Sequence, residues 1–472
     1  MLQVAYHEEA IRHAVCALGS FHQDYSGESE DGASCLKAGL EEYSLALSAL
    51  AGAKPSQRSI EVTLIGCILF TFCEHLQGHL GSAKAHVDSG LKLLQSYVRS
   101  DEENKYRPGR PRNCQQYIPI QTLVTLFKRL CRQLNEIGQP SPCFVDHSLL
   151  NESPPTNYHF HSLGAASCAL EGLVQQLNTV LQQATTKQLS GPSHEMVLLR
   201  ETSYIQLSER LDQWKMSFDD YLSCEPHERP KSPKRNEEAV QVLRLWYFSA
   251  RIFLQLDSPN EVMDYDECIP IFQVMVEIGH CLLFPQTEAR QKQHPSNTKN
   301  QRSSPAPIIE AFTFLDPANQ GFEHKSIEGS EFHALRPSYC SRIKGRGKPV
   351  FTHTALSPVP PLFLVATRCR DPNLRRQALE VLSQLNRRDG FWDSNLAATC
   401  AGLIIYSEEL EITNLNGKTI GSSNSGRIEF AKQVPSSARM MGIQPQLGEG
   451  RSLFLNVLKA RSVHQRLLDF DH

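Results

Sequence analysis

Along the first 283 residues, apolar side chains return every three or four positions in runs separated by short polar turns, the rhythm of amphipathic helices. In "YHEEAIRHAVCALGSFH" the residues Ile11, Val15 and Leu18 share one face, and in "CLKAGLEEYSLALSAL" Leu36, Leu40, Tyr43 and Leu47 do the same. Ile60 to Phe72 is apolar nearly all round, as a helix in the middle of a core would be. Ala83, Val87, Leu91 and Leu94 complete a fourth stripe, so the first hundred or so residues predict four helices stacked as antiparallel hairpins. Further stripes run through Leu123, Phe127, Leu130 and Leu134; through Leu170, Leu173, Val174, Leu177 and Leu181; and through Leu207, Leu211, Trp214, Phe218 and Leu222. Val242, Trp246, Ala250 and Phe253 mark the next helix, and 266–283 supplies one more.

The pattern breaks where proline and polar residues gather. Segments 101–117 and 224–238 read as loops, and 285–355 as an irregular linker or insertion in which 308–350 has neither helical nor strand rhythm. Residues 356–412 resume the helical pattern, 413–450 read as a polar linker, and 451–472 as a closing helix. No fixed repeat period is visible. The expected fold class is all-α: a multi-helix array of antiparallel helical hairpins with long disordered insertions, built from 1–284 and 356–412 as two parts of one domain.

One helix has both ends marked. In "RCRDPNLRRQALEVLSQLNRRDGFWDS" Asp371 is placed to cap the first turn, Pro372 suits the first helical position, and Gly390 reads as the left-handed cap after the last turn. Leu374, Ala378, Leu382 and Leu385 form its apolar stripe; Arg375, Arg376, Arg387 and Arg388 fall mostly off it and read as a solvated face.

Composition narrows the chemistry. With 48 Lys+Arg against 51 Asp+Glu and a net charge of -3, the 472-residue chain lacks the overall basic excess that sequence-independent phosphate binding needs. Its 14 cysteines are scattered, several within apolar helical runs, with no Cys-x-x-Cys pair, so reduced thiols and no zinc cluster are expected in this sequence. The longest apolar stretch, "VTLIGCILFTFC", is shorter than the ~20 residues of a membrane span, so it reads as a buried helix and no membrane partner is expected. Two basic segments, "RPGRPR" with Arg107, Arg110 and Arg112, and "GRGKP" with Arg346 and Lys348, resemble peptides that lie in the minor groove of DNA, though neither keeps the Arg-Gly-Arg-Pro core intact. "PKSPKR" at 230–235 fits a short nuclear-import cluster.

Catalytic patterns do not emerge. His7 and His13 in "HEEAIRH" stand six apart, where a zinc-protease helix needs four; His75 and His79 have that spacing but no ligand cluster around them. "NGKT" at 416–419 lacks the upstream glycine of a phosphate loop, with Ile412 in its place. The chain is expected not to be an enzyme.

"PPLFLVATRCRDPNLRRQALEVLSQLNRRDGFWDS", from Pro360 to Ser394, resembles the stretch near the end of the fungal-specific transcription factor domain, with Cys369, Arg370, Asp371, Pro372, Arg376, Gly390 and Trp392 as the signature residues. "HEEAIRHAVCALGSFH" is similar to that family's opening helix, and "EHLQGHLGSAKAHVDSGLKLLQ" to the helix pair that follows; together the resemblance covers roughly 1–285 and 355–410. It implies a nuclear regulator of RNA polymerase II genes, such as a metabolic or biosynthetic set. Its partners would be the transcription machinery and a small effector held between helices. DNA contact and zinc are implied only through a six-cysteine binuclear cluster N-terminal to this sequence, with no cofactor in the chain itself. Arg370 and Asp371 are expected to be local structural residues and Trp392 a core anchor. The alternative is a helical scaffold that binds partner proteins or a small effector without touching DNA.

Overall fold

A computed structural model describes residues 2–27, 32–52, 60–104, 117–137, 158–187, 194–223, 233–256, 262–283, 350–352, 356–415, 439–447 and 453–459. The six helices α1 (Leu2–His7), α2 (Glu9–Ser26), α3 (Gly32–Gly52), α4 (Ile60–Gln77), α5 (Leu80–Asn104) and α6 (Ile120–Glu136) form the first part of the domain. The opening helix is broken at Glu8, whose backbone is extended (φ -110, ψ 109), and α2 ends at Gly27 in the left-handed region that glycine adopts without strain. Helix α4 is long and apolar enough to cross a membrane by composition, yet 83% of it is buried in the protein's own core. That burial is what its all-round apolar sequence requires. The loop expected at 101–117 begins later than its composition suggests, because α5 runs on to Asn104.

Helix α3 is rotated relative to its leucine pattern. Leu36, Leu40 and Leu47 are 39–45% exposed, while Gly39 and Ala46 face inward. The reason is close approach to α2: a Cβ on Gly39 would stand 2.5 Å from Phe21 Cε1, so only small residues fit along this seam. On a helix of 3.6 residues per turn, the inward pair lies about a quarter turn from the leucines.

A second core is built by α7 (Leu163–Lys187), α8 (His194–Ser223) and α9 (Pro233–Gln255). Trp214 sits at its centre, stacked on Phe218 at 4.7 Å and donating Nε1–H to the Ala166 carbonyl at 2.9 Å, which satisfies the indole's one polar group. Helix α9 belongs to both cores: Val242, Leu243 and Trp246 face the second, Leu245 and Ile252 the first. Its start at Pro233 lies within the loop expected at 224–238.

The chain then passes a 3-10 turn (Val262–Cys268) and α10 (Ile269–Leu283), and resumes with β1 (Val350–Thr352), α11 (Val359–Arg368), α12 (Pro372–Leu385), β2 (Arg387–Asp389), β3 (Trp392–Asp393) and α13 (Ser394–Leu415). These later helices pack into the first core, where Gly279 of α10 allows Leu362 and Val381 to close against it. Strand β2 pairs parallel with β1 and antiparallel with β3, so a three-residue strand ends the stretch expected to be irregular.

The C-terminal expectation is corrected. Met440–Leu447 (β4) and Leu453–Lys459 (β5) form an antiparallel hairpin, in place of the end of a polar linker and a helix over 451–472. "LFLNVLK" is a short apolar run, a pattern that periodicity alone does not assign to helix or strand. The rest of 451–472 lies outside the described residues, as do most of the 285–355 segment and the 224–232 part of the expected loop. The all-α class holds, with the short strands confined to the C-terminal third.

Candidate functional site

The signature residues lie at the two ends of α12, Cys369 to Arg376 at its start and Gly390 to Trp392 beyond its last turn, where the chain meets α6. Asp371 caps α12 as its sequence predicts, its Oδ1 accepting from the N–H groups of Asn373 and Leu374, both at 2.9 Å, with Pro372 at the first position. Cys369 is buried beside it, its thiol pushed up to about 12 by desolvation, which keeps it protonated and unreactive.

The arginines are not a solvated face. Arg375 is 2% exposed; its Nη1 donates to Glu408 Oε2 at 2.6 Å and its Nε to the Ala366 carbonyl at 3.1 Å. Arg439, just before β4, donates to the same Glu408 oxygen at 3.1 Å, and burial lowers its pKa to about 10. Arg370 pairs with Asp266 of the 3-10 turn, and Arg376 with Glu409. Arg387 lies 2.7 Å from Asp389 and also donates to Glu238 of α9 at 2.6 Å. Arg388 donates to Asp393 at 2.6 Å and lies over the Tyr25 ring at 4.6 Å. Arg370 is thus a long-range tie rather than a local residue. The sequence carried a signal for Arg375: it stands three and seven residues before Ala378 and Leu382, on the edge of their stripe.

Gly390 is corrected too. The left-handed cap of α12 is Asn386 (φ 44, ψ 54), and Gly390 (φ 58) turns the chain between β2 and β3. There it lies against α6: a Cβ would fall 2.0 Å from Gln133 Oε1, the atom that accepts the Phe391 N–H at 3.1 Å. Trp392 is a core residue as expected, and its Nε1–H also donates to Glu136 Oε2 at 2.9 Å. His75, next to Phe391, is fully enclosed and held neutral, its pKa lowered to about 3 first by desolvation and then by Arg388. His79 instead bonds Glu74 at 2.9 Å.

Beneath this turn α5, α6 and α7 enclose a cavity of about 210 Å3. Lys128, Arg132 and Glu136 of α6 line it with Leu91 of α5 and Asn178 and Leu181 of α7. Arg132 Nε stands 3.7 Å from Glu136 Oε1, too far for a hydrogen bond, and its guanidinium lies 5.2 Å from the Trp246 ring of α9. Desolvation raises the Glu136 pKa and lowers that of Lys128. None of the cavity's polar residues was singled out in the sequence, because the site exists only once three helices from two cores are assembled.

Among the described residues no group of three or more His, Cys, Asp or Glu side chains is placed to hold a metal. The five minor-groove candidates Arg107, Arg110, Arg112, Arg346 and Lys348, and the "NGKT" segment, lie outside the described residues.

A profile described as the fungal specific transcription factor domain matches residues 1–278, ending within α10. Among curated proteins, the aspercryptin biosynthesis cluster-specific transcription regulator atnN of Emericella nidulans is 24% identical over 439 residues, covering 87% of this chain and 69% of the relative. No solved structure matches.

Proposed function

Because the chain belongs to the fungal-specific transcription factor domain family, we infer that it is a nuclear regulator of RNA polymerase II genes whose targets form a biosynthetic set. The observation that carries this reading is the family match over 1–278, and it is supported by a relative named as a cluster-specific regulator that aligns over most of the chain. The helical body is the regulatory part. It joins two cores through α9, and the Gly390–Trp392 turn ties the late helices back to α6.

DNA contact and zinc belong, on this reading, to a cysteine cluster N-terminal to the sequence, and the transcription machinery and a small effector are the partners of the helical body. The described arginines of the signature helix are engaged in internal ion pairs, which leaves that helix no phosphate-binding face. That observation also favours the second reading, a helical scaffold acting through protein partners alone.

Deleting the gene in its host and profiling transcripts tests the first reading. A coordinated change in a set of biosynthetic genes is expected, with the tagged protein in the nucleus; an unchanged profile under conditions where the protein is made would overturn it. Chromatin immunoprecipitation at the affected promoters separates the two readings, since only a DNA-tethered regulator enriches them.

A further inference from the structure

The cavity between α5, α6 and α7 places open space beside charged groups of α6. Its volume of about 210 Å3 far exceeds the ~10–15 Å3 that one water needs and falls below the ~300–1,000 Å3 of drug-sized sites, which sets the scale of a small metabolite.

The charges are unequal. Lys128 and Arg132 both line the wall; Arg132 has Glu136 at 3.7 Å and the Trp246 ring at 5.2 Å beside it, so Lys128 is the cation that faces the space. Glu136 Oε1 accepts no hydrogen bond. Burial raises the Glu136 pKa above its ordinary value, against the opposing pull of Arg132 and the Trp392 hydrogen bond. Lys128 is half-buried, and desolvation disfavours its ammonium. A partly desolvated cation facing an empty space is an electrostatic vacancy for an anion. Leu91 and Leu181 supply an apolar wall, and the Asn178 amide adds a polar group of either sense.

We propose that this cavity binds a small organic carboxylate, its carboxylate paired with Lys128 and its apolar body against Leu91 and Leu181. The site deepens the regulatory reading and rests on it for its consequence: it would be the effector site. The coupling is built in. Arg132 sits against Trp246 of the second core, and Glu136 holds Trp392 of the late helices, so an anion on Lys128 lies beside both junctions at once.

The test is calorimetric titration of the full chain with hexanoate and phenylacetate, using hexanamide and phenylacetamide as uncharged counterparts. Saturable one-site binding of an acid is expected. The matching amide, and the acid on a Lys128→Gln chain of unchanged melting temperature, should each bind about tenfold weaker or worse, the loss expected when a charge-assisted bond is removed. Asn178→Phe, which fills the space without touching a charge, should abolish binding in a chain that still melts cooperatively. Binding of neither acid, equal binding of acid and amide, or undiminished affinity in Lys128→Gln would overturn the proposal. Transcript profiling of the deletion strain is independent of this readout. Binding without any transcript change would remove the regulatory reading and leave the site, and the reverse would remove the site and leave the reading.

Discussion

Two groups of charged side chains lie inside this protein on different terms. Around α12, Arg375 and Arg439 close on Glu408 at 2.6 and 3.1 Å, with both Arg375 and Glu408 at most 2% exposed. Along α6, Arg132 and Glu136 stand 3.7 Å apart beside a cavity, and Lys128 faces the same space. The first group is closed: every approach is filled by protein, so its charges serve to hold α12, α13 and the entry to β4 in one arrangement. The second is open, with Lys128 facing the cavity. Residue type does not tell the two apart; the space beside the charges does.

The largest expected effect breaks the closed group. Glu408→Ala leaves two arginines buried without their carboxylate and should lower unfolding free energy by ~3–5 kcal/mol in a urea titration. A loss below about 1 kcal/mol would show that water reaches the cluster and that the comparison fails.

Next comes the junction between the two regions. Gly390→Ala places a side chain at φ 58 and against Gln133, and should cost about 2 kcal/mol from strain and a displaced hydrogen bond. Adding Gln133→Ala removes the obstruction, so the double variant should cost less than the sum of the singles. Additive losses would mean that the turn does not bear on α6.

Asp371→Ala removes the cap of α12 and should cost ~1 kcal/mol by thermal or urea unfolding. This is the part of the site that was most legible in the sequence, because a cap is local: Asp371, Pro372 and the apolar stripe behind them lie within a few turns of one helix. Gly390 was misread because Asn386, closer to the last turn, takes the left-handed position. The burial of Arg375 depends on Glu408, 33 residues on, and on Arg439 beyond it, so no local pattern supplies the partners. Likewise the leucines of α3 promised a core face, but the close approach of Phe21 to Gly39 decided which way the helix turns. Helix positions were legible because they follow from periodicity. The strands β4 and β5 were not, since a seven-residue apolar run satisfies either assignment.

In the open group the effects are smaller and depend on pH. Burial raises the Glu136 pKa above its ordinary carboxylate value, so its contribution to stability is fully present below the unfolded-state pKa of ~4.3 and is lost as pH rises through the folded value. Glu136→Gln removes that loss. Relative to the parent chain it should gain stability as pH is raised from about 4 to about 7, and a constant difference across that range would contradict the assignment. Lys128→Gln should change stability by less than ~0.5 kcal/mol, since it breaks no ion pair.

The central claim, that Lys128 serves a ligand and the α12 arginines serve the fold, is tested most directly by the urea midpoint of the parent and Lys128→Gln chains with and without phenylacetate. A ligand that binds only the folded state raises the midpoint. The account predicts that phenylacetate raises it in the parent chain and leaves the Lys128→Gln chain almost unmoved; an equal rise in both, or none in either, would contradict it.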